Sequence, residues 1–191
     1  MQAPTLSTPR LRLRPWQLES AADVRDAHQM YRDPEIHRYL RGVEHASRSI
    51  AQTRALLARW CSRATTRRDG SCFWALCEPP EGAAVGMIAL QRLPLGDPDD
   101  ATRLSDDWEV GWHLRRDRWG RGYASEGARA ALAHAFDKMG LDVVYAVTHF
   151  GNVASQAVAR RIGMLEVGRT QAYYGGDELL LFEIRCANRT A

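Results

Sequence analysis

Between residues 107 and 114 every second side chain is large and apolar. Trp108, Val110, Trp112 and Leu114 fall on one side of an extended chain, and Glu109, Gly111 and His113 on the other, the period of two that marks a strand. Gly120 and Gly122 break the pattern. From Tyr123 the apolar spacing lengthens, so that Ala124, Ala128, Ala131, Leu132, Ala135 and Met139 share one face of a helix that Gly140 ends. A strand running through a glycine turn into a helix gathers free backbone N–H groups at the helix start, where phosphate oxygens bind.

The flanking patterns predict the remaining elements. Residues 8–14 alternate, with Leu11 and Leu13 on one face and Arg10, Arg12 and Arg14 on the other, and Pro9 and Pro15 bracket this short strand. Val24, Ala27 and Tyr31 share a face of a helix starting near Leu18, with Ser20 and Asp23 as its capping pair. Asp33-Pro34-Glu35 punctuates it before a short helical piece over 36–40. A further helix, capped by Ser47 or Ser49, buries Ile50, Leu57, Trp60 or Cys61, and Ala64, and stops at Asp69-Gly70. Residues 71–77 and 83–92 form an antiparallel hairpin across the 78–82 turn. The Pro- and Asp-rich stretch 94–106 predicts a mobile loop. Residues 141–148 alternate poorly and predict a strand covered on both faces, parallel to 107–114. A short helix beginning at Asn152 or its neighbour, with Ala154, Ala157, Val158 and Ile162 apolar, ends at Gly163. Strands 164–171 and 178–185 close the chain as a hairpin around residues 173–177. No repeat or low-complexity stretch divides residues 1–191, so one domain with a core over about 8–185 is expected.

Composition narrows the function classes. The chain is 45% hydrophobic and 26% charged, which argues for a folded protein rather than a disordered one. Its net charge of +3 is carried almost wholly by arginine, Lys138 being the only lysine. The basic residues are scattered, so the excess reads as a coding bias, and no nucleic-acid partner is expected. Cys61, Cys72, Cys77 and Cys186 lack zinc-type spacing and read as buried or partly buried thiols, with no metal expected. The first residues lack the apolar segment of a signal peptide and no run is long enough to span a bilayer, so a cytoplasmic protein without a membrane partner is expected.

The backbone amides of Gly120, Arg121, Gly122, Tyr123, Ala124 and Ser125 converge at the predicted helix start. The Ser125 hydroxyl adds to them, and Arg116, Arg118 and Arg121 lie close in sequence. That set suits a pyrophosphate or a phosphorylated nucleotide, although G-x-G alone fits a plain turn equally well. A dinucleotide fold would place such a turn after the first strand, with an acidic residue ending the second. Here the turn lies past mid-chain, and residues 141–148 run into Thr148-His149-Phe150. No Gly-Lys-Ser/Thr of a P-loop is present.

The order strand, two helices, three strands, helix, strand, helix, strand, strand resembles the GNAT acyl-CoA N-acyltransferases, an α/β fold with a mixed sheet of about seven strands and about four helices. The run WGRGYASEGARAAL is similar to their pyrophosphate motif Gln/Arg-x-x-Gly-x-Gly/Ala, with Trp119 in the Gln/Arg position and Gly122 and Ala124 in the two small positions. Trp119, the run EVGWHL and the start TPRLRLRPW resemble the subgroup that includes the ribosomal-protein acetyltransferases RimJ and RimL. Residues 152–164 are similar to the family's Asn-x-x-Ser/Ala helix ending in Gly-Phe. Many members carry a tyrosine seven residues after that Asn, to protonate the departing thiolate; this chain has Ala159 there.

The resemblance implies direct transfer of an acetyl group from acetyl-CoA to a primary amine, with no covalent enzyme intermediate and no metal. It places a backbone N–H at Leu114 on the thioester carbonyl and Asn152 beside the pantetheine arm. Ser155 stands in for the missing tyrosine, or is a helix-packing hydroxyl. For the base, Glu109 comes first, on the strand face that Gly111 leaves open; it could instead pair with an arginine. His113 comes second, and solvent acting on a neutral amine is the third reading. The acceptor, a protein N-terminal α-amine or a small-molecule amine, would be lined by Tyr31, Glu35, Tyr39, Trp74, Tyr173 and Tyr174, unless these aromatics are core packing. A homodimer is left open. A non-catalytic acyl-CoA-binding or sensing domain of the same fold is the alternative function, and a nucleotide binder of dinucleotide type the third.

Overall fold

The computed structural model describes residues 4–40, 49–67, 70–80, 82–95 and 103–186. Eight strands form one sheet: β1 Leu6–Ser7, β2 Arg12–Pro15, β3 Cys72–Cys77, β4 Ala84–Pro94, β5 Leu104–Leu114, β6 Val143–Thr148, β7 Leu165–Thr170 and β8 Leu179–Arg185. Their order across the sheet is β1-β2-β3-β4-β5-β6-β8-β7. Every neighbouring pair is antiparallel except β5 and β6. The α-helices are α1 Ala21–Tyr31, α2 Pro34–His37, α3 Ile50–Arg67, α4 Tyr123–Asp137 and α5 Val153–Arg161. The sheet thus has one strand more than the expected seven, and there is one helix more than the expected four. The additional helix is the short piece expected over 36–40, which lies at Pro34–His37 as a single turn whose N-cap Asp33 accepts from Glu35 N–H at 3.0 Å.

The extra strand is Leu6–Ser7, which precedes the expected 8–14 strand; of that stretch only the end from Arg12 is strand, and residues 8–11 form the turn between the two. Thr8 N–H donates to Leu11 O at 2.9 Å and Leu11 N–H to Thr8 Oγ1 at 2.9 Å, folding the chain into a turn at Pro9-Arg10 that sets Leu6 opposite Leu13. Leu11 and Leu13 are both buried, as the alternation requires. Arg14, expected outside, instead makes a two-pronged bond to Asp23, with both contacts at 2.7 Å.

The sheet is covered on both faces. On one, α4 and α5 lay Ala128, Ala131, Leu132, Ala135 and Ala159 against Leu76, Ile88, Leu90, Val110 and Phe182. The α4 helix comes so close that a Cβ added at Gly127 would sit 2.9 Å from Ile88 Cγ1. On the other face, α1 and α3 lay Val24, Ala27, Tyr31, Leu57 and Trp60 against Phe73, Ala75, Met87 and Ala89. Ser20 caps α1 by accepting from Asp23 N–H at 3.3 Å. The Asp23 carboxylate does not close a reciprocal box; it accepts from Arg14 and from Gln17 N–H at 2.8 Å.

Several expectations are corrected. Ile50 is 48% exposed, and the buried face of α3 runs instead through Leu56, Leu57 and Trp60, with Cys61 packed at its edge. Of the caps proposed for α3, Ser49 bonds Gln52 N–H at 3.2 Å; Ser47, Asp69 and the side chain of Ala64 lie outside the described residues. The flanks of the expected 94–106 loop are strand, paired as Pro94 with Leu104, and residues 96–102 lie outside the described residues. β6 is not covered evenly: Val144, Ala146 and Thr148 are buried while Val143, Tyr145 and Val147 are half-exposed. It pairs in parallel on one side and antiparallel on the other, so it follows the antiparallel habit of one drier face. On α5 the buried positions are Gln156, Ala159 and Ile162, and Ala154 is exposed. Among the described residues no helix is long and apolar enough to cross a membrane.

Asp23 is the charge on which the α1 end of the sheet depends, since it is buried and holds β2 to α1 through Arg14. Asp23→Ala leaves that guanidinium and the Gln17 N–H without their partner. It should lower stability by about 3 kcal/mol and the melting temperature by on the order of 10 °C, read by thermal unfolding; a loss under 1 kcal/mol would refute this account.

Candidate active site

The site starts from the register of β5. It pairs regularly with β4 from Gly86↔Leu114 to Arg92↔Trp108, and Arg115 N–H donates to Val85 O at 2.9 Å. In an antiparallel pair only alternate residues point their backbone groups at the partner strand. Those of Trp112 and Leu114 therefore turn away from β4, toward β6. Yet β6 meets β5 through a single pairing, Glu109↔Tyr145. Beyond it the two strands diverge and no strand stands opposite Trp112 and Leu114. The Leu114 carbonyl is taken by the indole Nε1–H of Trp119 at 2.9 Å; the Leu114 N–H faces the opening.

A cavity of about 480 Å³ lies at this divergence. On the sheet side it is lined by Met87, Ala89 and Gln91 of β4 and by Glu109, Gly111 and His113 of β5. Thr148 of β6 and Ser155 and Ala159 of α5 border it on the far side of the gap. Glu109 is buried. Its Oε1 accepts from Gln91 Nε2 at 2.7 Å and from the Tyr174 hydroxyl, and burial pushes its carboxyl up to about 7 against the pull of these two bonds. Among the described residues no arginine pairs with it, and its partners are the neutral Gln91 and Tyr174 rather than the arginine of the alternative reading. His113 is half-buried, with Nδ1 2.9 Å from the Tyr31 hydroxyl, and burial pushes its imidazole down to about 4. Tyr31 is fully buried, and desolvation raises its phenol well above the ordinary value.

The glycine turn lies at the open end of the gap. Residues 116–118 form a 3-10 turn, Gly120 and Gly122 take φ of +75° and +78°, and Gly122 caps α4. The first internal bond of α4 is Glu126 N–H to Gly122 O at 3.0 Å. The N–H groups of residues 120–125 consequently have no acceptor among the described residues. Successive backbone N–H groups in a turn conformation can form a concave set, a form that binds anions. A Cβ added at Gly120 would meet nothing within 4 Å, so this side of the turn is open. Arg116 and Arg121 are exposed and make no ion pair among the described residues.

Other predicted members of the turn are employed by the fold. Tyr123 donates its hydroxyl to Glu78 at 2.7 Å, Arg118 pairs with Glu78 and Asp117, and Ala124 packs on the core. The Ser125 side chain is buried and accepts from Arg161 at 3.4 Å, so it offers the turn its amide and not its hydroxyl. Trp119 is 46% exposed. Asn152 caps α5 by accepting from Ser155 N–H at 3.1 Å, which commits its Oδ1 to the helix.

Of the residues expected to line an acceptor site, Tyr39 and Tyr174 border the cavity and Tyr31 stands behind His113. Tyr173 is mostly buried and donates to Asp107 at 2.7 Å. Glu35 lies on the surface 3.8 Å from Arg38. Trp74 is excluded: it is fully buried in the core of the opposite face, its indole bonded to Pro4 O at 2.7 Å. Sequence reasoning missed Gln91 and Thr148. Gln91 was recoverable from a β4–β5 register, because it stands directly across from Glu109. The buried Thr148 hydroxyl, without a partner in the structure, leaves no trace in the sequence.

A family model described as an acetyltransferase (GNAT) domain matches residues 10–165. The chain belongs to the GNAT acetyltransferase family. Among its relatives is the FsC-acetyl coenzyme A-N(2)-transacetylase of Aspergillus fumigatus, 30% identical over 165 residues. That alignment covers 86% of this chain and 66% of the fungal protein, so the chain spans just under two thirds of that relative. A crystal structure of an acetyltransferase from Agrobacterium tumefaciens superposes with a TM-score of 0.73 at 25% identity, covering 97% of this chain and 96% of that one. RimL, described as a ribosomal L7/L12 α-N-protein acetyltransferase in complex with coenzyme A, superposes with a TM-score of 0.73 at 18% identity, covering 95% and 98%. The GNAT fold expected from the element order is therefore the fold observed, and RimL shares it.

Glu109 makes stability depend on pH. Its carboxyl is raised in the folded state from an ordinary 4.5 to about 7, so the folded protein holds this proton more tightly than the unfolded chain. Its contribution is full below about pH 4.5 and is lost as pH rises through about 7. In Glu109→Gln that loss disappears. Between pH 5 and pH 8 the variant should gain about 2–3 kcal/mol relative to wild type in urea unfolding, and a pH-independent difference would contradict the burial assigned to this carboxyl.

Proposed function

We propose that this GNAT member is an acetyl-CoA-dependent N-acetyltransferase that moves an acetyl group directly to a primary amine. The observations that carry the reading are the parting of β5 from β6 after one pairing, the cavity there that the buried Glu109 carboxyl lines, and the glycine turn just beyond β5, whose six amides have no acceptor among the described residues. The residues fit the cofactor. The 120–125 amides, with Arg116 and Arg121 near, suit the pyrophosphate. The Trp112 and Leu114 backbone can take the pantetheine arm as an added strand, and the orphaned Thr148 hydroxyl lies along the same path.

Acetyl-CoA supplies an activated acyl group on a thiol leaving group. The protein has three tasks around it. The Leu114 N–H polarises the thioester carbonyl from the strand edge. Glu109 takes a proton from the acceptor ammonium, and a carboxyl titrating near 7 is well matched to that work at neutral pH. His113, held down near 4 and tied to Tyr31, is a weaker proton acceptor at that pH. Ser155 borders the cavity and donates to the departing thiolate, because the buried Ala159 offers no hydroxyl. The acceptor is a protein N-terminal α-amine or a small-molecule amine. The likeness to RimL, a ribosomal L7/L12 α-N-protein acetyltransferase, supports the first, and that to the fungal acetyl coenzyme A transacetylase supports acetyl-CoA as donor.

Two measurements test this. Gly122→Glu puts a side chain on left-handed backbone and a negative charge among the phosphate amides. CoA affinity by calorimetry should fall on the order of 100-fold, and unchanged affinity in a folded variant would sink the phosphate site. In thiol-release assays over an amine panel, kcat/KM should rise with pH through about 7 as Glu109 ionises. Glu109→Gln should lower it by about 10²- to 10⁴-fold and erase that limb, with CoA affinity kept. Tight CoA binding without turnover on any amine would instead mark an acyl-CoA-binding domain.

A further inference from the structure

Glu109 takes both of its protein hydrogen bonds on one oxygen. Oε1 accepts from Gln91 Nε2 at 2.7 Å and from the Tyr174 hydroxyl, while Oε2 has no partner among the described residues. The two donors come from different elements, and each is fixed. Gln91 stands directly across β4 from Glu109 in the strand register. Tyr174 sits in the turn before β8 at a φ of +52°, followed by Gly175 at +76° and Gly176 at +83°. A tyrosine in left-handed backbone is uncommon and persists where surrounding contacts impose it. Those contacts are present next door: Tyr173 bridges to Leu95 and donates its hydroxyl to Asp107 Oδ2 at 2.7 Å. Two successive tyrosines thus bind two carboxylates spaced two residues apart on β5, so they lie on one face of the strand.

We propose that Gln91 and Tyr174 are positioning residues for the base: by holding Oε1 they fix the carboxylate and leave Oε2 as the oxygen that receives the proton of the acceptor amine. This rests on Glu109 being the base. The proton moves from the ammonium nitrogen to Oε2, the freed nitrogen lone pair attacks the thioester carbonyl to form the C–N bond, and the adduct collapses by breaking the C–S bond, so that CoA leaves as the thiolate and takes up the second proton released from the nitrogen. Both donors are neutral. A cation in either place would hold the carboxyl low, and with it the driving force for taking a proton. Asp107 and His113 flank Glu109 on β5 and Tyr145 pairs with it from β6, while Asp177 and Arg59 border the same cavity. Against these surroundings the titration of Glu109 follows burial, opposed first by Tyr174 and then by Gln91.

The test uses the full chain with Tyr174→Phe and, separately, Gln91→Leu. The Glu109 carboxyl is followed by NMR with carboxyl-labelled glutamate, and kcat/KM by its pH profile. In Tyr174→Phe the NMR titration and the kinetic limb should move upward together by about one pH unit, the size of one hydrogen bond to a charged group. Gln91→Leu should move both the same way and by less, with the KM for acetyl-CoA unchanged in each. A merely structural tyrosine would lower activity equally at every pH and leave both midpoints in place, which would overturn the proposal. If the wild-type chain turned over no amine and the NMR midpoint still moved, the clasp on Glu109 would be supported and the acetyltransferase reading would fail by itself.

Discussion

The parting of β5 and β6 after one pairing is the constraint on which the site depends. β5 is held along its length by β4, and β6 is held from Val143 to Thr148 by β8. Each strand therefore has one satisfied edge and can leave the other open. Unpaired backbone groups inside a protein carry a desolvation cost, and a continuous sheet would have removed it. The cost is confined to the few residues around Trp112 and Leu114, and Trp119 relieves part of it at the Leu114 carbonyl. The same indole ties the end of the strand to the glycine turn, so the opening and the turn's amides keep a fixed relation.

Two buried carboxylates show how the surroundings divide structural work from chemical work. Asp23 meets a guanidinium through two bonds and a backbone N–H through a third, and it joins β2 to α1. Glu109 is as deeply buried, but among the described residues it meets only the neutral donors Gln91 and Tyr174. A charge with a full ionic partner is a poor proton acceptor near neutrality. A carboxyl stabilised partly by neutral donors stays close to the point of exchange. Arg14 is thus committed to structure at one end of the sheet, while Arg116 and Arg121 by the glycine turn make no ion pair among the described residues.

Much of this was legible in order along the chain. The alternation of 108–114, the glycines and the alanine face of α4 are local patterns, and the structure reproduces them because one physical period governs each. The same holds for Ser20, Ser49 and Asn152 as caps. The errors fell where distant residues decide. Ile50 lies at the start of α3, where the core ends, and solvent claims it. The Thr8 side chain folds the first half of an alternating stretch into a turn, which pairs Leu6 and Ser7 with its second half. Trp74 has the composition of a pocket aromatic, yet it lies on the other face of the sheet. Ser125 stands in the phosphate motif while its hydroxyl turns toward Arg161.

By itself the sequence determined the strand, turn and helix of residues 107–137, the family motif within them, and the face shared by Glu109 and His113. These follow from the backbone period and from the freedom of glycine at positive φ, which a few neighbouring residues specify. Only the tertiary structure decided that β6 would leave β5 after Tyr145. It also decided that Tyr174, far along the chain, would bond Glu109, and that burial would raise one titrating group on that face and lower the other. Register, strand separation and desolvation belong to surfaces brought together by folding, and no stretch of sequence contains both sides of such a contact.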